Sequence, residues 1–279
     1  MSTFQALAVV SSLIMIALEL VLRALQRERD QGWFLSALGS WAGVIALLPF
    51  IPYSTLNLSP STVALLGLAG SAWAISVITE LKSHATLPVG LGVLVSSLRT
   101  LGLIGIGALF FAETFTTQDI VGTALALGGV LLACLWRSGA PLTGVWSRLL
   151  ASAAGGAAIV TEKALAQRTA IELIIVGGYF IPGVLYLIFR PRDWREQCVL
   201  GPTRRRTLIG LYMLLYAAVG PVFVYTFAFG QLSETFVIFQ SRFVITVLLG
   251  ALILQEREGL ISQCVGMIIT LIGLYLVMN

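Results

Sequence analysis

Two arginines stand near the middle of long apolar runs, Arg99 within residues 86–112 and Arg242 within residues 234–255. A guanidinium at the centre of a bilayer costs about 2.5–3.5 kcal/mol on insertion scales, so each needs a protein partner or a wet cavity. Each presents a planar fork of N–H donors that suits a phosphate or a carboxylate. If both face one cavity, the two forks hold one anion between them. The competing reading is structural: each Arg neutralises a Glu within the membrane and caps backbone carbonyls.

Acidic and aromatic residues add further candidates. Glu19 lies four residues before Arg23 in the first apolar run. It is either a carboxyl that carries a coupling proton or half of an i,i+4 ion pair near the interface. Glu162 and Lys163 are adjacent near the end of the sixth run; neighbours on a helix point in different directions, so they serve different partners. Glu80 and Lys82 end the third run and read as a solvated interface. Trp41, Trp73, Tyr225 and Phe239, with Tyr179, are inside runs and either line a cavity or pack against lipid and protein.

Enzyme chemistry finds little footing. The single His84 has no ligand types beside it in sequence, and Cys134, Cys198 and Cys264 are too scattered for a disulfide or metal framework. There is no phosphate-cradling glycine loop with Lys-Ser/Thr and no Ser/His/Asp set. The expectation is a protein without enzymatic activity, cofactor or metal.

The elements that position these residues follow from composition. The chain has 279 residues, 58% hydrophobic and 11% charged, with a mean hydropathy of +0.95. Soluble domains carry about 25% charged residues, so that class is excluded. A membrane helix needs about 20 apolar residues. The sequence divides into ten such runs, at about 4–25, 33–51, 61–79, 86–112, 117–136, 145–166, 171–189, 207–229, 234–255 and 259–278. Arg27-Glu28-Arg29-Asp30 ends the first, and Pro49, Pro52 and Pro60 bracket the second loop. The first run contains Glu19 and lacks a basic leading region, so no cleavable signal is expected. The predicted class is an all-α membrane protein with ten transmembrane helices.

The net charge of +4 is not a nucleic-acid signal, because the basic residues cluster between apolar runs. Loops after odd-numbered runs hold thirteen Lys and Arg, from Arg23 through Arg148 and the 190–206 segment to Arg257. The opposite side holds Lys163 and Arg168. By the positive-inside rule both termini lie outside the cytoplasm. Trp33, Trp136, Trp146 and Trp194 fall on the basic side as an interfacial belt.

The chain also resembles itself at an offset of 143 residues: SLRTLGLIGIGALFFAE at 97–113 aligns with QSRFVITVLLGALILQE at 240–256. Arg99 then falls on Arg242 and Glu113 on Glu256; Gly122 and Gly129 recur as Gly266 and Gly273 after one extra residue. Five helices followed by a similar five enter the membrane from opposite sides. That is the inverted-repeat plan of secondary transporters, with a site near the midplane. The expected halves are 1–140 and 141–279. The glycines, with Gly67-x-x-Gly70 and Gly102-x-x-Gly105-x-Gly107, read as close helix contacts. Pro182 and Pro221 read as kinks in the seventh and eighth helices.

The stretch from Phe111 through Glu113 and Gly122 to Val130 resembles the fourth-to-fifth helix signature of EamA-type proteins of the drug/metabolite transporter superfamily. Leu254-Gln-Glu256 to Gly273 is a looser second copy. The resemblance implies ten helices in two inverted EamA-like halves and solute transport by alternating access. The chain differs from many members in having Arg99-Thr100 where they carry Glu-Pro, and its charge count reverses the usual orientation with cytoplasmic termini. Ser241-Arg242 is similar, at the Arg alone, to the Lys-Arg pair of relatives that move sugar phosphates and nucleotide sugars. Glu19 is similarly placed to the essential acid of the small multidrug-resistance proteins.

These readings converge on a multi-pass integral membrane protein, in the inner membrane if the source is bacterial, moving a small phosphate- or carboxylate-bearing metabolite. The expected partners are that solute and the bilayer, with a monomer as the unit and no nucleic acid. The alternatives are a proton-coupled exporter of amino acids or amphipathic compounds using Glu19, a lipid-linked phosphate translocator, and a non-transporting membrane subunit.

Overall fold

The computed structural model describes residues 3–28, 31–51, 59–96, 98–99, 103, 117–135, 142–229, 242, 245–255 and 260–278. The described residues are helical with short connections, and no strand occurs among them. The helices are α1 (Thr3–Glu28), α2 (Gly32–Leu47, continued by a 3-10 turn at Leu48–Phe50), α3 (Pro60–Thr86) and α4 (Val89–Ser96). They continue as α5 (Thr117–Leu135), α6 (Leu142–Ala166), α7 (Ile171–Ile188), α8 (Trp194–Gln197), α9 (Thr203–Phe229) and α10 (Leu260–Met278). A further helical segment covers 245–253.

Six of these, α1, α2, α3, α6, α7 and α9, are long and apolar enough to cross a membrane. Large apolar side chains also face outward, including Ile45 at 72%, Leu214 at 68% and Ile261 at 82% exposure. A water-facing surface would not tolerate that many; a hydrocarbon-facing one requires them. The chain is thus all-α and has the character of a multi-pass membrane protein.

Local signals place the helix ends. Ser59 caps α3, its hydroxyl accepting from the Thr62 amide at 3.2 Å, and Pro60 occupies the first position, where a missing N–H costs nothing. The third helix runs to Thr86, beyond the boundary at 79 that the charges of Glu80 and Lys82 led us to expect. The reason is tertiary: Glu80 is half-buried and ion-paired with Arg148, so its charge does not force an end to the helix. The polar stretch between α7 and α9 contains the short α8 and a left-handed turn at Gly201, with φ of 70°. It is tied to the α1–α2 junction by Gln31, whose side-chain amide donates to the Gln197 and Val199 carbonyls. Arg205 completes the tie, donating to Gln31 Oε1 at 2.7 Å and to the Leu25 carbonyl at 3.2 Å.

The helices pack in recurring pairs. α3 lies along α6 and α1 along α9; α2 packs on α7; α3 also touches α7, as α2 touches α9. α5 and α10 lie against each other along their lengths. A Cβ at Gly129 would sit 2.5 Å from the Gly266 carbonyl oxygen, and one at Gly273 would collide with Gly122 O and Ala126 N. The two backbones approach this closely because neither glycine carries a side chain. Much of the expected fourth and ninth runs, with Gly102, Gly105, Gly107, Glu113, Trp136 and Glu256, lies outside the described residues.

Candidate functional site

Helices α1, α3, α6, α7 and α9 enclose a cavity of about 130 Å³. A single water needs roughly 10–15 Å³, so this space has room for a group several waters in size. Its wall is mostly apolar and aromatic, with Leu18 and Leu22 from α1, Val77 from α3 and Phe223 from α9. Polar groups enter at a few points: Glu19, Glu80, Arg99, Glu162 and the tyrosines 179, 212 and 216. An apolar cavity with a few convergent polar groups is the usual form of a small-molecule site.

Glu19 and Glu80 already have partners. Arg148, from α6, is completely buried. It donates to Glu19 at 2.8 Å and lies 3.0 Å from a Glu80 oxygen. Its remaining N–H groups reach the Gly92 carbonyl at 3.0 Å, Ser96 Oγ at 2.6 Å and His84 Nε2 at 3.2 Å. His84 stands 3.4 Å from the other Glu19 oxygen, and its carbonyl accepts from Arg23. One guanidinium therefore joins α1, α3, α4 and α6. Glu19, Glu80 and His84 offer ligand atoms within 4.8 Å of one another, the spacing of a metal site. Arg148 contacts all three, and a second cation there would meet its charge at close range. The donor set does not fit a metal.

Arg99 and Arg242 differ from Arg148. Arg99 lines the cavity, and its guanidinium lies against α6 at Gly155, where a Cβ would be 2.9 Å from Cζ. It makes no hydrogen bond or ion pair among the described residues, and its Nε is buried without a partner. Arg242 is 9% exposed and donates to Met15 Sδ at 2.8 Å. A thioether is a weak acceptor, and the Arg242 Nε is also buried without a partner. Met15 itself lines the cavity. Neither arginine is neutralised by a carboxylate contact among the described residues.

The Trp73 indole N–H donates to Glu162 Oε1 at 2.7 Å. Glu162 is 6% exposed and has no ion pair among the described residues. Next to it, Tyr179 enters the backbone of α9. Its hydroxyl donates to the Tyr216 carbonyl at 2.6 Å and accepts from the Gly220 amide at 3.0 Å. Pro221 has no N–H to offer Ala217 one turn back, and the same hydroxyl lies 3.3 Å from that carbonyl. A side chain set into the helix ladder beside a proline is a recognised cause of bending.

Of the residues singled out from sequence as cavity candidates, Glu19, Trp73, Arg99, Glu162 and Tyr179 line the cavity. Arg242 reaches its edge through Met15. Trp41 packs edge-on against Phe180, with ring centroids 5.9 Å apart, and is not in the lining. Tyr225 donates to Glu172 at 2.9 Å, away from the lining. Lys163 is half-buried and also outside it, and Phe239 lies outside the described residues. Four expectations are corrected. Arg148, counted as a loop cation, is buried at the centre of the charge cluster. Glu80 is a cavity residue rather than a solvated one. His84 has two carboxylates beside it in space. Glu19, read as a proton carrier or as half of a pair with Arg23, makes its ion pair with Arg148 and has the His84 ring 3.4 Å from its other oxygen. The signal for Arg148 was present, since intramembrane acids such as Glu19 need a cation, but its partner is 129 residues away.

No family model matches the chain. No curated protein matches it either. A solved structure described only as a crystal structure of a protein is similar over 97% of this chain and 96% of its own, with a TM-score of 0.66 at 16% identity. At that identity the similarity establishes a shared fold and nothing about activity.

Proposed function

We propose that the chain is a secondary-active transporter of a small phosphate- or carboxylate-bearing metabolite, working by alternating access around the cavity. In this reading it has ten transmembrane helices in two inverted halves, as in the drug/metabolite transporter superfamily, and is an inner-membrane monomer if bacterial. It needs no cofactor and performs no catalysis. The observation that carries the reading is Arg99, whose guanidinium faces the cavity with no hydrogen bond or ion pair among the described residues. A desolvated cation is costly unless something completes it. Here the missing partner is the solute, and Arg242 stands nearby with only a sulfur acceptor.

The helix packing supports the two-half plan. If α1, α2, α3 and α5 correspond to α6, α7, α9 and α10, exchanging the halves converts the α3–α6 contact into α9–α1 and α3–α7 into α9–α2. The α2–α7 and α5–α10 contacts map onto themselves. The glycine contacts obey the same exchange, Gly129 against Gly266 becoming Gly273 against Gly122.

The proton-coupled alternative placed its proton on Glu19. The ion pair to Arg148 weighs against that, because a carboxylate held by a buried guanidinium is not available to a solute-linked cycle. The reading is tested by a thermal-shift screen of purified protein against phosphorylated, carboxylated and neutral metabolites, since a ligand bound only by the folded state raises Tm. Stabilisation by anions and not by neutral analogues is expected. A flat response to every anion would contradict it.

A further inference from the structure

The cavity holds a second charged group that lacks a counter-ion, and it has the opposite sign. Glu162 is buried, accepts one hydrogen bond from Trp73, and has no cation beside it among the described residues. Its Oε1 is set between Trp73 and the bare backbone of Gly178, where a Cβ would be 3.3 Å away. Trp73 and Phe223 stand edge to face with centroids 6.2 Å apart, and both line the cavity with Glu162. A carboxylate bonded to one aromatic ring, in a cavity that a second ring also lines, is the chemistry that receives a protonated amine, through a charge-assisted hydrogen bond and cation–π contact.

The spacing joins this acceptor to the arginine. The Arg99 guanidinium lies at the level of Gly155, and Glu162 is two turns further along the same face of α6. Seven residues of helix rise about 10 Å. Helical side chains lean toward the N-terminus, which brings the carboxylate back toward Arg99. Subtracting about 3 Å for a hydrogen bond at each end leaves a few ångströms, roughly the length of a two- to four-atom linker. No ion pair joins the two charges among the described residues, and by the helix rise one small molecule of that length would reach both.

We infer that the solute is an amine-bearing anion: its phosphate or carboxylate meets Arg99, and a protonated amine on the same molecule meets Glu162 between Trp73 and Phe223. This rests on the reading of Arg99 as the anion contact and adds the class of molecule that the anion belongs to.

The test is equilibrium binding to purified protein, without a gradient, using two matched pairs of probes. O-phosphoethanolamine is compared with glycerol 3-phosphate, and β-alanine with propionate; the preferred pair identifies the anionic group. In the wild type the amine-bearing member of that pair is expected to bind at least tenfold more tightly than its amine-free partner. Glu162→Gln is expected to bring the two affinities together. Arg99→Gln is expected to weaken the amine-bearing probe by tenfold or more. Equal wild-type affinity for the two members would overturn the inference while leaving the anion reading in place. So would a Glu162→Gln variant that keeps the preference. Ethanolamine binding with no response to any anion would remove both. Should Glu162→Gln not fold, the wild-type comparison decides the matter alone.

Discussion

The Glu19 carboxylate of α1 and the Arg148 guanidinium of α6 form an enclosed ion pair at 2.8 Å, with side-chain exposures of 5% and 1%. Removing one member of such a pair leaves the other buried and uncompensated, at a cost of about 3–5 kcal/mol. Arg148→Leu is the harsher case, since it leaves Glu19 and Glu80 facing each other. We expect a large fall in Tm and in yield from the membrane, measured by size-exclusion chromatography and thermal unfolding in detergent. An Arg148→Leu protein as stable as the wild type would remove this pair from its role in joining α1, α3, α4 and α6.

Tyr179 and Gly220 form a second dependent pair. A Cβ at Gly220 would collide with the Tyr179 hydroxyl. Gly220→Ala is therefore expected to destabilise more than Tyr179→Phe, which leaves α9 intact but strands polar backbone at a cost of about 1–3 kcal/mol. Combining Gly220→Ala with Tyr179→Ala should recover part of the Gly220→Ala loss, because the collision is gone. Additive losses in the double variant, read by thermal unfolding, would argue that the contact is not what restricts position 220.

Glycines along the chain are not equivalent, and α5 offers an internal control. Gly129 abuts the α10 backbone, whereas a Cβ at neighbouring Gly128 meets nothing within 4 Å. Gly129→Ala is expected to cost about 1–3 kcal/mol through overpacking. Gly128→Ala should be neutral or slightly stabilising, as an ordinary helix position is. Equal effects of the two substitutions on Tm would show that α5 and α10 do not meet through Gly129.

How far these relationships could be read from the chain depends on their range. Apolar runs, Ser59-Pro60 and the arginine-rich segment after α7 are local signals, and the helices they bound lie within a few residues of expectation. The end of α3 is not legible locally, because Glu80 reads as an interface residue unless Arg148 is known to lie beside it. Arg148 is not legible for the converse reason: next to exposed Trp146 it resembles a belt cation. Trp73 and Glu162 were both visible as intramembrane residues of polar capacity, but their hydrogen bond joins positions 89 apart. Sequence showed which charges needed partners; packing decided which received them. Arg99 and Glu162 are charges whose need is legible in the sequence and stays unmet by a counter-ion among the described residues.

Orientation follows from the basic residues and survives the loss of Arg148 from the count. Arg190, Arg192 and Arg195 are exposed on the connection between α7 and α9, and Arg204 and Arg206 are exposed on the first turn of α9. By the positive-inside rule we expect that connection on the cytoplasmic side. With Cys134, Cys198 and Cys264 replaced, an Arg204→Cys variant in intact cells should resist a membrane-impermeant maleimide and react after permeabilisation. Ready labelling in intact cells would reverse the assignment.

The central claim is that Arg99 and Arg242 hold a transported anion, and exchange across a reconstituted membrane tests it most directly. Proteoliposomes loaded with an unlabelled anion that stabilises the purified protein are given the labelled anion outside, and uptake is followed with no imposed gradient of protons. The wild type should show saturable exchange. Arg99→Gln and the Arg99→Gln, Arg242→Gln double variant should lose at least 90% of it while keeping the wild-type elution profile, the double variant losing little beyond the single because one ligand bridges both. Undiminished exchange by a well-folded double variant would contradict the claim.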